Sequence, residues 1–180
     1  MQNNYLFDKL RPIIIKATGV PECLYGYQNN PAVEGSYCAV AISNVRERGQ
    51  ANQTKKYNAP ERAIDYKVRR QLIATVTVNF YRNGAMDYAQ LLHQAYKLPN
   101  IQMDLLRAGI SFTGTSYVTN VTELFSGNQE ERAHIELYVY FTLVSDDRVN
   151  VIERGEITVK DENDNFIAES KFDVAINPKD

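Results

Sequence analysis

The sequence of 180 residues contains no tryptophan, two cysteines and two histidines, and it has no long apolar run. Two cysteines are too few for a disulfide framework, so stability is expected to come from a buried core. Cys23 and Cys38 lie in apolar, strand-like stretches, which predicts two buried free thiols and a reducing compartment. The apolar runs are too short to cross a bilayer, and the N-terminus lacks the basic-then-apolar pattern of a secretory signal. Neither a membrane span nor a signal peptide is expected.

The sequence also lacks a strong net charge of either sign and the motifs of common catalytic sites. The net charge of −2 gives no general electrostatic reason to bind nucleic acid. His93 and His134 have no Cys, His or carboxylate at a metal-ligand spacing, and no phosphate loop or nucleophile elbow is present. We therefore expect no enzyme, no cofactor and no metal site. A pair of carboxylates that folding brings together could still perform acid–base chemistry.

Apolar residues at helical spacing predict three helices. The first covers residues 5–17 and ends near Gly19, and Pro12 either kinks it or opens a second short turn. The second covers residues 85–96 and ends before Pro99. A short third helix over residues 101–108 is stopped by Gly109.

Alternating and β-branched residues predict the strands. The clearest lies within residues 64–81, where every second residue from Leu72 to Phe80 is apolar. The other predicted strands cover residues 22–27, 37–45, 115–122, 133–144, 150–160 and 165–176, with the last two paired as a hairpin around residues 161–164. Turns are expected at residues 28–31 and 126–128. The sequence thus predicts one α+β domain over residues 1–180, with helices packed on one face of a mostly antiparallel, curved sheet.

The most polar stretch, residues 46–62, lacks the periodicity of a packed element and is expected to form a long basic loop. Two interpretations of this loop remain open. It is either a solvated connection, or an arm that becomes ordered against an acidic surface of a neighbouring subunit. Its basic residues are Arg46, Arg48, Lys55, Lys56 and Arg62. Candidate acidic residues for the matching surface are Glu130, Glu131, Asp146 and Asp147. Two complementary patches of this kind would allow a head-to-tail contact between subunits.

A series of short motifs follows the same order along the chain as in a known family. The motifs are Leu10-Arg11-Pro12-Ile13-Ile14 with Ala17-Thr18-Gly19, Gln28-Asn29-x-Pro31, Tyr37-x-x-Val40-x-Ile42, Val76-x-Val78-x-Phe80-Tyr81-x-x-Gly84-Ala85, Tyr117-Val118-Thr119-Asn120-Val121-Thr122 with Leu124, Arg132-Ala133-x-Ile135-x-Leu137, and Ile152-Glu153. In these motifs and in the basic loop, the chain resembles the phage neck and tail terminator proteins over nearly its whole length. The hairpin from Gly155 to Ile176 is longer than the family pattern.

This resemblance implies a structural virion protein at the neck of a phage tail, assembled in the host cytoplasm. It implies a six-membered ring that ends tail-tube polymerisation and joins the tail to the head connector. The implied partners are copies of itself, the tail tube protein, head connector or neck proteins, and the tail sheath. DNA would pass through the lumen without sequence-specific binding. Alternative hypotheses are another tail tube or baseplate component, and a small enzyme that uses distant carboxylates.

Overall fold

The computed structural model of the chain describes residues 2–26, 33–125, 128–151 and 154–173. Within these ranges, three helices and eleven strands form an α+β fold. In chain order they are α1 (Gln2–Thr18), β1 (Cys23–Tyr25), β2 (Tyr37–Glu47), β3 (Asn52–Asn58), β4 (Ala63–Tyr81), α2 (Ala85–Ala95), α3 (Pro99–Ala108), β5 (Ile110–Thr115), β6 (Thr119–Asn120), β7 (Glu123–Phe125), β8 (Asn128–Glu130), β9 (Arg132–Asn150), β10 (Arg154–Lys160) and β11 (Phe166–Asp173). The predicted turn at residues 28–31, and residues 126–127 of the other predicted turn, lie outside the described residues.

The chain divides into two compact units. The first contains residues 1–50 and 70–143, and the second contains residues 51–69 and 144–180. The long strands β4 and β9 each contribute residues to both units. The expectation that residues 1–180 form one domain stays a prediction, and the two units are described separately below.

The first unit is built on a sheet with strand order β1-β2-β4-β9-β5, with β6 also paired to β9. β1 runs parallel to β2, whereas β2 with β4, β5 with β9 and β6 with β9 are antiparallel. β4 and β9 are also antiparallel, because Asn79 contacts His134 while the N–H of Arg82 donates to the carbonyl of Glu131. The predicted mostly antiparallel sheet is confirmed.

The core of the first unit lies between the helices and one face of this sheet. Every second residue from Leu72 to Phe80 in β4 is buried, as is every second residue from Ala133 to Phe141 in β9. Strand pleating places these side chains on a single face. Buried residues of the helices complete the core: Leu6, Leu10, Ile13 and Ile14 from α1, Ala85, Ala89, Leu92 and Ala95 from α2, and Ile101 and Leu105 from α3.

The three predicted helices are confirmed, with small changes at their ends. α1 is assigned as one helix through Pro12. Gly84, with φ of 81°, precedes α2, and Gly109, with φ of 71°, ends α3 in the left-handed conformation that glycine adopts without strain. Cys23 and Cys38 are buried free thiols at paired positions of β1 and β2.

The second unit has a different character because it contains almost no buried side chain. β3 pairs with residues 63–69 of β4, and β10 pairs with β11 in the predicted C-terminal hairpin. Among the described side chains of this unit, Ala63 is the only buried one. The described side chains of this unit therefore form no hydrophobic core of their own.

The structure differs from the sequence-based expectation over residues 46–62. In place of a long loop, β2 continues to Glu47, β3 occupies residues 52–58, and a 3-10 turn, Ala59–Glu61, leads into β4. The pairing with β4 supplies the backbone hydrogen bonds that stabilise β3. Because most side chains of β3 are exposed, this strand has no apolar alternation for sequence analysis to detect.

The bounds of other predicted strands also differ from those in the structure. The strand expected at residues 115–122 is replaced by β5, which ends at Thr115, and the two-residue strand β6. The strand expected at residues 133–144 continues to Asn150 as β9. Its added residues, from Val144 onward, are exposed, so the apolar pattern ends before the strand does.

Candidate assembly surface

The nine residues that the sequence suggested for subunit contacts fall into the two units. Lys55, Lys56, Arg62, Asp146 and Asp147 belong to the second unit, and four of these five line one cleft. The cleft has a volume of about 800 Å³ and is formed by β3, β4 and β9. Arg46, Arg48, Glu130 and Glu131 belong to the first unit and have other surroundings. The structure therefore brings together basic and acidic candidates that are about 90 residues apart in sequence.

Charges alternate across the strands that form this cleft. Lys56 is paired in register with Asp65 of β4, and Asp65 accepts a hydrogen bond from Arg148 of β9 at 2.6 Å. One step along the ribbon, Lys67 of β4 lies 4.0 Å from Asp146 of β9. Strand pleating puts these side chains on one face. We call residues 52–58, 63–69 and 144–150 the charged ribbon.

Arg148 makes two ion pairs in the second unit. Its guanidinium pairs with Asp65 and with Glu61 of the 3-10 turn. The hydrogen bond from Arg148 holds the pKa of Asp65 below its ordinary value, and the Asp65 carboxylate in turn raises the pKa of Arg148. These groups are solvent-exposed, so the pairs orient the strands more than they stabilise them.

Lys55 and Lys56 lie on β3, the outer strand of the charged ribbon. Among the described residues, neither lysine makes a side-chain hydrogen bond or an ion pair within 4 Å, and β3 is paired only with β4. The charge of Lys56 nevertheless contributes to lowering the pKa of Asp65. Successive residues of a strand point to opposite faces, so one ammonium group lies on each side of this edge. Edge lysines are a common protection against indiscriminate strand pairing.

Arg62 acts through its backbone at the turn between β3 and β4. It has a positive φ of 50°, and its carbonyl accepts a hydrogen bond from the N–H of Val151 at 3.1 Å. Arg62 also has a further interaction within the chain. These contacts give Arg62 a role in closing the turn.

Glu130 and Glu131 are already engaged within the first unit. Glu131 accepts hydrogen bonds from the backbone N–H groups of Gly84 and Met86, at 3.0 and 3.2 Å, at the start of α2. Glu130 pairs with Arg132 at 2.6 Å and with Arg82 at 3.6 Å. Both carboxylates therefore satisfy partners of their own chain. The hypothesis that they receive a neighbour's basic residues stays a prediction.

Arg46 and Arg48 lie at the end of β2, in the first unit. The Arg48 guanidinium lies 5.1 Å from the ring centre of Tyr140, a cation–π contact. Arg46 lines a shallow groove with Ile73 and Tyr138 on the sheet. A contact role for these two arginines also stays a prediction.

The order of these elements and the terminator-like motifs agree with a comparison against known protein families. The sequence matches the family described as phage neck terminator protein over residues 4–164. The chain belongs to this family. It is accordingly a structural protein of the phage neck or tail, and its place is in the virion with other head and tail proteins. No curated protein matches the sequence significantly.

The C-terminal hairpin of this neck terminator chain has exposed apolar side chains, which are not among the candidate contact residues that the sequence predicts. Its strands pair antiparallel, and Ile157, Val159, Phe166 and Ile167 are all exposed, Phe166 to 62%. An isolated two-stranded hairpin is at best marginally stable in water. The sequence carries a signal for this exposure, because no helix that could cover these apolar residues is predicted near the hairpin in the sequence.

Catalytic chemistry has little support in the described part of the terminator. His93 shares a hydrogen bond with Thr115, and His134 shares one with Asn79. No group of three or more His, Cys, Asp or Glu side chains that could hold a metal ion occurs among the described residues. Where the pKa of a described carboxyl group is shifted, it is shifted downward, opposite to what a general acid needs. The described helices include none that could span a membrane.

Proposed function

We propose that this chain assembles into a homohexameric ring at the top of the phage tail. The ring ends polymerisation of the tail tube and joins the tail to the head connector. The family match over residues 4–164 supports this role most directly. In this proposal, the ring binds the tail tube protein and the head connector or neck proteins. The tail sheath is a further partner.

The character of the second unit supports assembly as the mode of action. A domain normally gains its stability from apolar area that folding removes from water. The described strands of the second unit bury one side chain, Ala63, while Ile157 and Phe166 are exposed to 56% and 62%. Apolar residues of this kind on paired strands gain stability when a neighbouring subunit covers them.

The charge of the chain is consistent with a passage for DNA. A net charge of −2 does not favour retention of phosphates in a ring lumen. The proposed role accordingly excludes sequence-specific DNA binding. A strongly basic lumen in a solved ring would contradict this part of the proposal.

Electron microscopy of the purified protein, alone and mixed with tail tubes, tests the proposed function. We expect closed single rings in solution, and one ring at one end of each tube with no further growth there. Stacked or open-ended assemblies would favour a tube or baseplate component. A protein that stays monomeric and does not bind tubes would reject both.

A further inference from the structure

The two hairpins of the second unit carry opposite charge. Residues 52–69, which include β3 and the paired part of β4, contain five basic and two acidic side chains, a net charge of +3. Residues 156–171 of the β10–β11 hairpin contain two basic and five acidic side chains, a net charge of −3. We call the first the basic hairpin and the second the acidic hairpin. The charge of each is therefore suited to contact with the other.

The free side of the basic hairpin is the edge of β3 that carries Lys55 and Lys56. An unpaired strand edge offers a row of backbone N–H and C=O groups to an incoming strand. Two lysines on this edge disfavour a neutral or basic strand, since their charges would be desolvated without compensation. An acidic strand removes that penalty, which gives the edge a preferred partner.

The acidic hairpin fits the description of that partner. Its basic side chains are paired internally, Lys171 with Glu156 and Glu169, and Lys160 with Asp164. Its turn is held by Asp161, whose carboxylate accepts hydrogen bonds from the backbone of Asn163 and Asn165. In the described part of the second unit, β10 and β11 pair only with each other, so each has an open edge.

The described residues of one copy do not make this contact among themselves. Among the described residues, no side-chain hydrogen bond or ion pair joins Lys55 or Lys56 to the acidic hairpin. In the described part of the chain, the ion pairs of the acidic hairpin are internal, and those of the charged ribbon join β9 to β4 or to the 3-10 turn. A second copy of the chain can supply the acidic partner for Lys55 and Lys56.

We propose that the acidic hairpin of one copy lies along the free edge of β3 in the next copy, with its acidic turn against Lys55 and Lys56. This inference rests on the proposed ring, and it names the two surfaces that form the contact. The surfaces are different parts of one chain, so the contact is head-to-tail and repeats from subunit to subunit until the ring closes. The acidic partner of the lysines is thus the C-terminal hairpin.

Two charge-reversal variants test the contact directly. The first, Lys55→Glu with Lys56→Glu, changes the net charge of the basic hairpin from +3 to −1. The second, Glu162→Lys with Glu169→Lys, changes that of the acidic hairpin from −3 to +1. In each variant alone, every contact between copies would join two surfaces of like charge. We expect each variant to require at least ~10-fold more protein for half assembly than the wild type, measured by mass photometry or sedimentation.

Mixing the two variants restores opposite charges at every contact. The mixture is therefore expected to form rings in which the variants alternate, which a ring of six subunits can close. A chain that carries all four substitutions should also assemble. The matched control is Lys97→Glu with Arg107→Glu, two reversals on exposed residues of the first unit, which should assemble like the wild type. Circular dichroism of each variant checks that the fold is kept.

The outcomes separate this inference from the proposed function. If the wild type forms rings and the first or second variant forms them equally well, the hairpin contact is wrong and the ring stands. If the single variants fail and their mixture also fails while all remain folded, the two hairpins do not contact each other. If the wild type forms no ring alone or on tail tubes, both the proposed function and the hairpin contact are overturned.

Discussion

The backbone N–H of Gly84 donates a hydrogen bond to the carboxylate of Glu131 at 3.0 Å, although the two residues are 47 positions apart in sequence. With a second bond from Met86 at 3.2 Å, Glu131 satisfies free amides at the start of α2. A carboxylate at this position also interacts favourably with the helix dipole. Gly84 itself offers no side-chain cap, so the carboxylate replaces one from another element.

Substitution Glu131→Ala is therefore expected to lower the free energy of unfolding by about 1 kcal/mol, the usual cost of a lost helix cap. Glu131→Gln keeps an acceptor but loses the charge, so it should fall between Ala and the wild type. Urea unfolding of the three proteins measures the difference. Glu34→Ala, at an exposed turn, serves as the control and should change the free energy little. Equal values for Glu131→Ala and the control would show that the cap contributes nothing.

The ion pair between Asp65 and Arg148 predicts that the free energy of unfolding depends on pH through this pair only under acidic conditions. Arg148 lowers the pKa of Asp65 below the ordinary value of 3.8. The folded state therefore favours the ionised carboxylate. The contribution of this carboxylate to stability is present above pH 3.8 and is lost as the pH falls through the lower pKa of the folded state. An NMR titration of the Asp65 carboxyl should give a midpoint below 3.8.

Arg148→Gln is the matching variant for this titration, because it removes the guanidinium with its positive charge and leaves the Asp65 carboxyl in place. The Asp65 midpoint should then rise toward its ordinary value. Amide hydrogen exchange in β3 and β4 should also become faster in the variant. An unchanged midpoint would mean that Arg148 does not set the pKa of this group.

The two cysteines predict a protein that resists thiol reagents while folded. Cys23 and Cys38 are paired positions in β1 and β2, and both are buried. A hydrogen bond with Cys23 and burial raise the pKa of the Cys38 thiol, while the same hydrogen bond lowers the pKa of Cys23. Burial keeps the reagent from both sulfur atoms, so iodoacetamide at pH 8 should modify neither residue in the folded protein and both in denaturant. Mass spectrometry counts the labels, and rapid labelling of the folded protein would contradict the buried placement.

Substitution of Ile157 and Val159 in the acidic hairpin is expected to weaken ring assembly while leaving the stability of the single chain nearly unchanged. Both are exposed in the single chain, so Ile157→Ser with Val159→Ser should change its free energy of unfolding by no more than about 0.5 kcal/mol. Ring formation should weaken, because the apolar area that a neighbouring copy covers is reduced. Met103→Ser with Leu106→Ser, on the exposed face of α3, is the matched control. If the hairpin variant assembles like the control, these side chains lie outside the subunit contact.

The elements with one buried face could be predicted from the sequence. β4 alternates from Leu72 to Phe80, and α2 repeats its apolar residues at helical spacing, so burial left a periodic pattern in each. β3 has no such pattern, since its stability comes from pairing with β4 and its side chains are exposed. Pairing between strands depends on register and is not visible in the composition of one strand.

The candidate contact residues show the same limit. Lys55 and Asp147 were recognisable as charged residues in polar stretches, but only the register of β4 and β9 places them at one cleft. The sequence predicts a contact role for Glu131, because its partners, Gly84 and Met86, belong to an element that is distant in sequence. Charge in a sequence identifies candidates, and the fold decides which of them are already paired.

Electron microscopy of the purified wild-type protein, with and without tail tubes, tests the central claim most directly. The account predicts closed six-membered rings and a single ring capping one end of each tube. A stable monomer that leaves tube growth unchanged would contradict it.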